Sequence, residues 1–294
     1  MKDTRILVVV KLSKYQWDLH RLRVTPRQLL ANYRKQGLNL DRILHSDERQ
    51  RRVAERAREI FPQATFASRQ ELTRRLASQA AVVFALGGDN HFQYVSHFLD
   101  HTPIIGVNSD PRTSEGSLTR FRLDDLERLA ALVRLGAFKV EEWTRIQLAL
   151  NGKVVPCLAT SEIFLGESHR GSMSRHRLCW NGKLEEQKCS GLLVATGAGS
   201  SGWYDSACRR YFPRGRSFAT TEKRLEFLVS EPFTGRLSLP KLTHGKISAR
   251  GKLEVISLND SEGVVLIDSQ EQHRFGEGTR ATLRVGPPLC VVKP

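Results

Sequence analysis

A change of hydrophobic rhythm near Phe138 constrains this chain more than any other feature. Before it, short apolar runs alternate with helical spacing. "RILVVV" (Arg5 to Val10) reads as a buried strand, residues 26–60 as polar helix, and "AVVFAL" (Ala81 to Leu86) as a second strand. "HFQYVSHFLDH" then has helical spacing and "PIIGVN" (Pro103 to Asn108) is a third strand. Strand, helix, strand in this order is a βαβ unit, hence an α/β domain with a parallel sheet and a ligand edge at the strand C-termini. Leu123 to Leu135 is an amphipathic helix with Asp124 and Asp125 suited to its first turn. After Phe138 the pattern becomes strand, Asn-Gly, strand, at Asn151-Gly152 in "RIQLALNGKVVPCLATSEIFLGE" and again at Asn181-Gly182. Asn-Gly between alternating runs is the signature of a tight hairpin. "GKLEVISL", "GVVLID", "HRFGEG" and "ATLRVG" continue it, so a β-rich second domain is expected over residues 139–294, after an α/β domain over residues 1–138. A chain of 294 residues suits two domains of roughly 150 each.

Charge and cysteine usage narrow the setting. Lys and Arg number 46 against 31 Asp and Glu, a net +15, which favours anionic partners such as nucleotides. "RQRRVAERARE" (Arg49 to Glu59) mixes both signs and reads as a solvated helix face; with no nucleic-acid motif beside it, no nucleic-acid partner is expected. The early apolar run "ILVVV" is far short of the ~20 residues of a membrane span, so no membrane partner is expected either. That run begins almost at once and lacks a cleavage site, so no leader is expected. Five scattered cysteines without a C-x-x-C pair point to reduced thiols, no structural zinc and a cytoplasmic protein.

Three segments carry candidate chemistry. In "VVFALGGDNHF", Gly87 and Gly88 end a buried strand where a helix begins; their amides can approach phosphates, with Asp89 on the same edge. The alternative is a tight turn in which Asp89 or Asn90 only caps the helix. "GVNSDPRTSEGSL" sets Asn108, Ser109 and Asp110 at the end of the neighbouring strand, which implies a shared crevice. "SGLLVATGAGSSGW" is a strand entering a glycine-rich turn, with Thr196, Ser200 and Ser201 available to a nucleotide. It contains G-x-G-x-x-G at Gly197, Gly199 and Gly202, with Glu222 downstream. Pro213 and Gly215 leave room for only a short helix, so the dinucleotide fingerprint is rejected. His91, His97 and His101 lack an H-E-x-x-H pattern, two histidines on a helix usually face solvent, and no metal site is expected. Lys11, Lys14, Arg21 and Arg23 are either phosphate-steering or a solvated loop; Tyr15 and Trp17 are read as packing residues, and Asp268 as a turn residue.

In order and approximate spacing these segments, with "ATSEIFLGESHRGSMSRHRL", resemble the NAD kinase family. "VVVKLSKYQWDLHRLRV" and "VVLIDSQ" resemble its branch containing the mitochondrial enzymes of animals. The resemblance implies a Rossmann-like α/β N-terminal domain and an all-β sandwich C-terminal domain, with the extreme C-terminus returning to the first and the active site between them. It implies phosphorylation of the adenosine-ribose 2′-hydroxyl of NAD by ATP with Mg²⁺, in a homodimer or larger homo-oligomer. Asp89 matches the proposed general base and Glu162 the glutamate of an Asn-Glu pair that holds the NAD ribose. Ala198 to Trp203, hence Ala198, Gly199, Ser200, Ser201 and Trp203, match a T-G-S-T-A-Y loop.

Three stretches depart from the family pattern. Asn90 and His91 replace Gly-Thr after Gly-Gly-Asp, Ser161-Glu162 replaces Asn-Glu, and "AGSSGW" replaces T-G-S-T-A-Y. The first bears on ATP binding. If that turn needs positive φ, Asn tolerates it best after Gly, and Asn90 and His91 are then available to hydrogen-bond phosphate. Two other readings stay open: a catalytically silent NAD or NADP-binding regulator, and a related kinase acting on another hydroxyl.

Overall fold

The computed structural model describes residues 5–169, 171–236 and 239–294. The chain divides into two compact units, Met1–Val140 with Val291–Pro294, and Glu141–Cys290.

The first unit is built on β1 (Ile6–Val10), β2 (Thr65–Ser68), β3 (Val82–Gly87) and β4 (Ile104–Asn108), paired in the order β2-β1-β3-β4. All three pairings are parallel. β3 and β4 are buried along their whole length, as strands covered on both faces must be. Val8, Phe84 and Ile105 pack with Val53 and Ala57 of α3 (Leu40–Ile60) and with Leu126, Leu129 and Val133 of α6 (Leu126–Leu135). The other helices are α1 (Lys14–Leu22), α2 (Pro26–Lys35), α4 (Arg74–Ser78) and α5 (Asp89–Ser96). Val291 pairs with Ile104 and Val292 joins this core.

Several elements differ from expectation. The cationic stretch after β1 is a helix rather than a loop: Ser13 and Gln16 form a reciprocal capping box that starts α1. α5 stops at Ser96, before the helical spacing runs out, so His97 and His101 do not share a helix. His91 and His97 are also buried, not solvent-facing.

The second unit is a sandwich of two antiparallel sheets. Its strands are β5 (Val140–Leu150), β6 (Lys153–Ala159), β7 (Glu162–Glu167), β8 (Ser174–Trp180), β9 (Lys183–Cys189) and β10 (Gly191–Ala195), then β11 (Arg224–Ser230), β12 (His244–Ser248), β13 (Lys252–Ser257), β14 (Gly263–Ile267), β15 (Glu271–Arg274) and β16 (Arg280–Val292). One sheet runs β12-β11-β10-β7-β14-β15, the other β6-β5-β16-β13-β8-β9. Ile163, Val194, Phe227 and Val265 from the first meet Ile146, Leu178, Val255 and Leu283 from the second in one core. Both Asn-Gly turns have positive φ at both residues, 48° and 80° at Asn151-Gly152 and 50° and 74° at Asn181-Gly182, the geometry that matches strand twist. The apolar stretch expected to run unbroken through "VVPCLATSEIFLGE" instead breaks at Thr160-Ser161, so β6 and β7 join different sheets. A short helix, α7 (Trp203–Cys208), interrupts the β pattern and packs Tyr204 and Cys208 on Leu193 and Leu228. Among the described residues no helix is long and apolar enough to cross a membrane.

Candidate active site

In the first unit the ends of β3 and β4 lie side by side, with Gly87 opposite Asn108. α5 begins at Asp89, directly after its N-cap residue Gly88, which has no side chain to make a capping hydrogen bond. Asp89 therefore does not cap its own helix. Its Oδ1 accepts from the amides of Leu118 and Thr119 and the hydroxyl of Thr119, each at 3.0 Å, and its Oδ2 from the amide of Ser117 at 2.9 Å. Asn108 is buried and holds the same loop from beneath: its Nδ2 donates to Ser114 O and its Oδ1 accepts from Asp110 N, both at 3.1 Å. Asp110 is tied to α3 by Arg49 Nε at 2.6 Å. Burial opposes its ionisation, but hydrogen bonds from Arg49, Ser46 and Thr113 outweigh that and hold its carboxyl below the usual range. A cavity of about 340 Å³ lies on this edge, lined by Lys11, Gly88, Asp89, Asn90, Ser109 and Asp110 among others.

Asn90 and His91 need correction. Neither sits in a positive-φ turn: they are the second and third residues of α5, where any L-residue fits. Asn90 is exposed, whereas His91 is 0% exposed, so its ring is not available to phosphate. Its Nδ1 accepts from Arg69 Nε at 3.0 Å. An arginine can only donate, so Nε2 carries the proton and donates to Val9 O at 3.0 Å. Burial, then the nearby Arg69 charge, lowers its pKa to about 3, so the ring is neutral. This ring also explains Gly87. A Cβ there would stand 2.7 Å from His91 Cβ, closer than atoms pack.

In the second unit the break at Thr160-Ser161 is pinned by Asp268. Its carboxylate accepts from the amides of Thr160, Ser161 and Glu162 at 2.8, 2.8 and 2.9 Å. Asp268 and Ser269 both have positive φ, 48° and 55°, the turn geometry that aims this carboxylate back at β7. Thr196, at the end of β10, donates to Thr160 O at 2.6 Å and accepts from the amides of Ala198 and Gly199. The glycine turn thereby lies on Ser161: a Cβ on Gly199 would be 2.2 Å from Ser161 O and 3.0 Å from Glu162 Oε2. Glu162 is 8% exposed, and among the described residues its carboxylate has no hydrogen-bond partner. Burial, helped by the neighbouring charge of Asp268, pushes its pKa up to about 8.

Gly87, Gly88, Asp89, Asn90 and Asn108 thus gather on one edge of the first unit. Ser161, Glu162, Thr196, Ala198 and Gly199 form one cluster in the second. Ser200 turns its hydroxyl to Gly197 O and takes the amide of Phe218, an internal role. Ser201 is exposed, and Trp203 stacks on Phe164 with centroids 5.4 Å apart. Arg69 and the bracing role of Asp268 escaped the sequence reading. Arg69 stands alone between β2 and α4, neither of which has a long apolar pattern.

No protein-family model matches the chain. It is 26% identical over 233 residues to a probable NADH kinase of Oryza sativa subsp. japonica, covering 72% of this chain and 70% of that protein. It is 27% identical over 255 residues to NAD kinase 2, mitochondrial, of Rattus norvegicus and of Homo sapiens, and spans 60% and 57% of their respective lengths. In fold it is similar to the crystal structure of an NAD kinase from Archaeoglobus fulgidus in complex with ATP, with a TM-score of 0.66 at 19% identity, covering 98% of this chain and 93% of that one. In sequence the chain is thus similar to NAD and NADH kinases over about 70% of its length, and in fold to an NAD kinase over nearly all of it.

Proposed function

We propose that this protein is an NAD kinase, transferring the γ-phosphoryl group of ATP to the adenosine-ribose 2′-hydroxyl of NAD to give NADP. The observation that carries the reading is Glu162, a buried carboxyl group with no partner of its own, held beside the glycine turn. Its oxygens are not sealed from solvent, so a ligand can reach them, and ribose hydroxyls are the kind of group that pairs with them. Ser161, Thr196, Ala198 and Gly199 shape the same recess. Asp89 is assigned as the base that receives the 2′-hydroxyl proton as the new O–P bond forms and ADP leaves. Its Oδ2 carries one hydrogen bond and keeps acceptor capacity for that proton. Gly88, with no side chain at the N-cap of α5, suits close approach of the donor's phosphates to that helix end. Mg²⁺ prefers oxygen ligands, and the oxygens of Asp89, Asn90 and Glu115 on the same cavity fit it; when bound it neutralises charge on the triphosphate.

The test is an assay of purified protein with NAD, ATP and Mg²⁺, coupled to an NADP-specific dehydrogenase. NADP forms, Asp89→Asn abolishes it, and Glu162→Gln, which keeps a hydrogen-bond donor, retains part of it. Absence of NADP from the wild type with both ATP and polyphosphate as donors refutes the reading. One observation favours a second reading, a silent NAD or NADP-binding regulator: Asp89 is already engaged by four donors of its own loop. Calorimetry that finds NAD binding without turnover establishes that alternative. All five cysteines are free thiols, which fits a reducing compartment, and the reading places the enzyme in the cytoplasm as a homo-oligomer. Light scattering on the purified protein checks the latter.

A further inference from the structure

A second cavity of the first unit, about 480 Å³, lies beyond Lys11 and is lined by Lys11, Lys14, Trp17, Asp18, Arg69 and Tyr94 among others. Its size is within the range of roughly 300–1,000 Å³ typical of small-molecule sites. Its one acid, Asp18, is already committed: it accepts from Lys14 Nζ at 2.6 Å and from the Tyr33 hydroxyl at 2.7 Å. Among the described residues, neither Lys11 nor Arg69 has a carboxylate within ion-pair distance. Burial, then each other's proximity, holds the Lys11 ammonium below its usual range; Asp110 draws it the other way but is itself spent on Arg49. Two partly buried cations without a counter-charge are costly unless an anion joins them. The Arg69 guanidinium is held in place: Nε on His91, Nη2 on Asn90 O at 3.1 Å, and its face over the Tyr94 ring at 4.7 Å. Trp17, read from the sequence as a packing residue, lines this cavity and is 42% exposed. Lys11 lines this cavity and the Gly-Gly-Asp cavity alike.

We infer that Lys11 and Arg69 bind the polyphosphate chain of the phosphoryl donor, and that His91 positions Arg69 for it. The donor identity rests on the kinase reading; the site itself rests on the cavity and its uncompensated charge. The family departure at Asn90-His91 then has a physical role. The His91 ring nitrogen fixes a cation beside the phosphates, helped by the backbone carbonyl of residue 90, which any residue there would supply.

Calorimetry with Mg-ATP and, separately, with inorganic tripolyphosphate tests the inference. Removing one charge-assisted hydrogen bond weakens binding roughly 10-fold or more. Lys11→Met and Arg69→Gln are therefore each expected to weaken at least the tighter-bound of the two ligands by about that factor, without altering NAD affinity. Tighter binding of ATP marks a nucleoside triphosphate as the occupant, and tighter binding of tripolyphosphate an inorganic chain. His91→Phe is expected to lower that affinity while Arg69 is present and to add nothing in the Arg69→Gln background, a coupling that general loss of structure does not give. Acetic anhydride labelling of the wild type needs no variant: saturating ATP or tripolyphosphate protects Lys11 in peptide mass spectra. Unchanged affinities in both variants, or full Lys11 labelling under saturating ligand, overturn the inference. Both measurements read binding. Lost affinity in a protein that makes no NADP keeps the site and removes the reaction, while unchanged affinity in an active kinase does the reverse.

Discussion

Replacing Glu162 by Gln is expected to stabilise the ligand-free protein, increasingly as pH rises from about 4.5 to about 8. The folded-state pKa is about 8, against 4.5 for an unperturbed glutamate. Between these values the folded chain holds a proton that the unfolded chain has released. Stability therefore falls as pH rises through that window and is fully present only below the lower value. The gap is 8 minus 4.5, or 3.5 pH units; at about 1.36 kcal/mol per unit it amounts to roughly 5 kcal/mol, an upper figure because water entry relieves part of it. Glutamine has nearly the shape of protonated glutamate and cannot ionise. Urea denaturation of wild type and Glu162→Gln across pH 5 to 9 isolates this group, since every other titration cancels in the difference. The two curves are expected to converge toward pH 4.5, the lower of the two values, and to diverge by several kcal/mol above pH 8, the variant being the more stable. A difference that stays constant with pH, or a variant less stable at pH 9, refutes the reasoning.

Asp268→Ala removes the acceptor of three buried amides. At about 1–3 kcal/mol per orphaned group it is expected to cost at least ~3 kcal/mol, read as a lower urea midpoint, with NAD affinity falling as Glu162 loses its support. Gly87→Ala drives a methyl group into the His91 ring and is expected to cost about 1–3 kcal/mol. Because the nearest atom is the His91 Cβ, His91→Gly in the same chain is the change expected to recover part of that loss if the clash is the cause.

The architecture was legible because its two halves obey different periods. β1, β3 and β4 are continuous apolar runs, and the Asn151-Gly152 and Asn181-Gly182 turns can hardly be anything but hairpins. β2 escaped because a four-residue edge strand with one large apolar side chain has no period to detect. Asp89 and Glu162 stood out by type and setting, but their partners did not. The amides of residues 117–119 on Asp89, and those of 160–162 on Asp268, are backbone groups, and backbone groups leave no trace in side-chain identity. The setting of Asn90 is illegible for a different reason. Whether it occupies a turn or the first turn of a helix depends on where α5 starts, and Gly88, Asp89 and Asn90 are each acceptable at either place.

The two acids are in opposite states, and under the kinase reading that difference divides their labour. Asp89 takes four donors and offers none of its own, the arrangement of an oxygen pair acting through lone pairs. Glu162 takes no donor, and burial with the nearby Asp268 charge raises its pKa to about 8, so its protonated form is available to donate a hydrogen bond to a ribose oxygen. Where the environments of two carboxyl groups are this far apart, acid and base roles follow from them. The 117–119 loop then does more than cover a strand end. By fixing three of the four hydrogen bonds on Oδ1, it leaves Oδ2 as the oxygen with room for an incoming proton, the atom of Asp89 that the proposed base role would use.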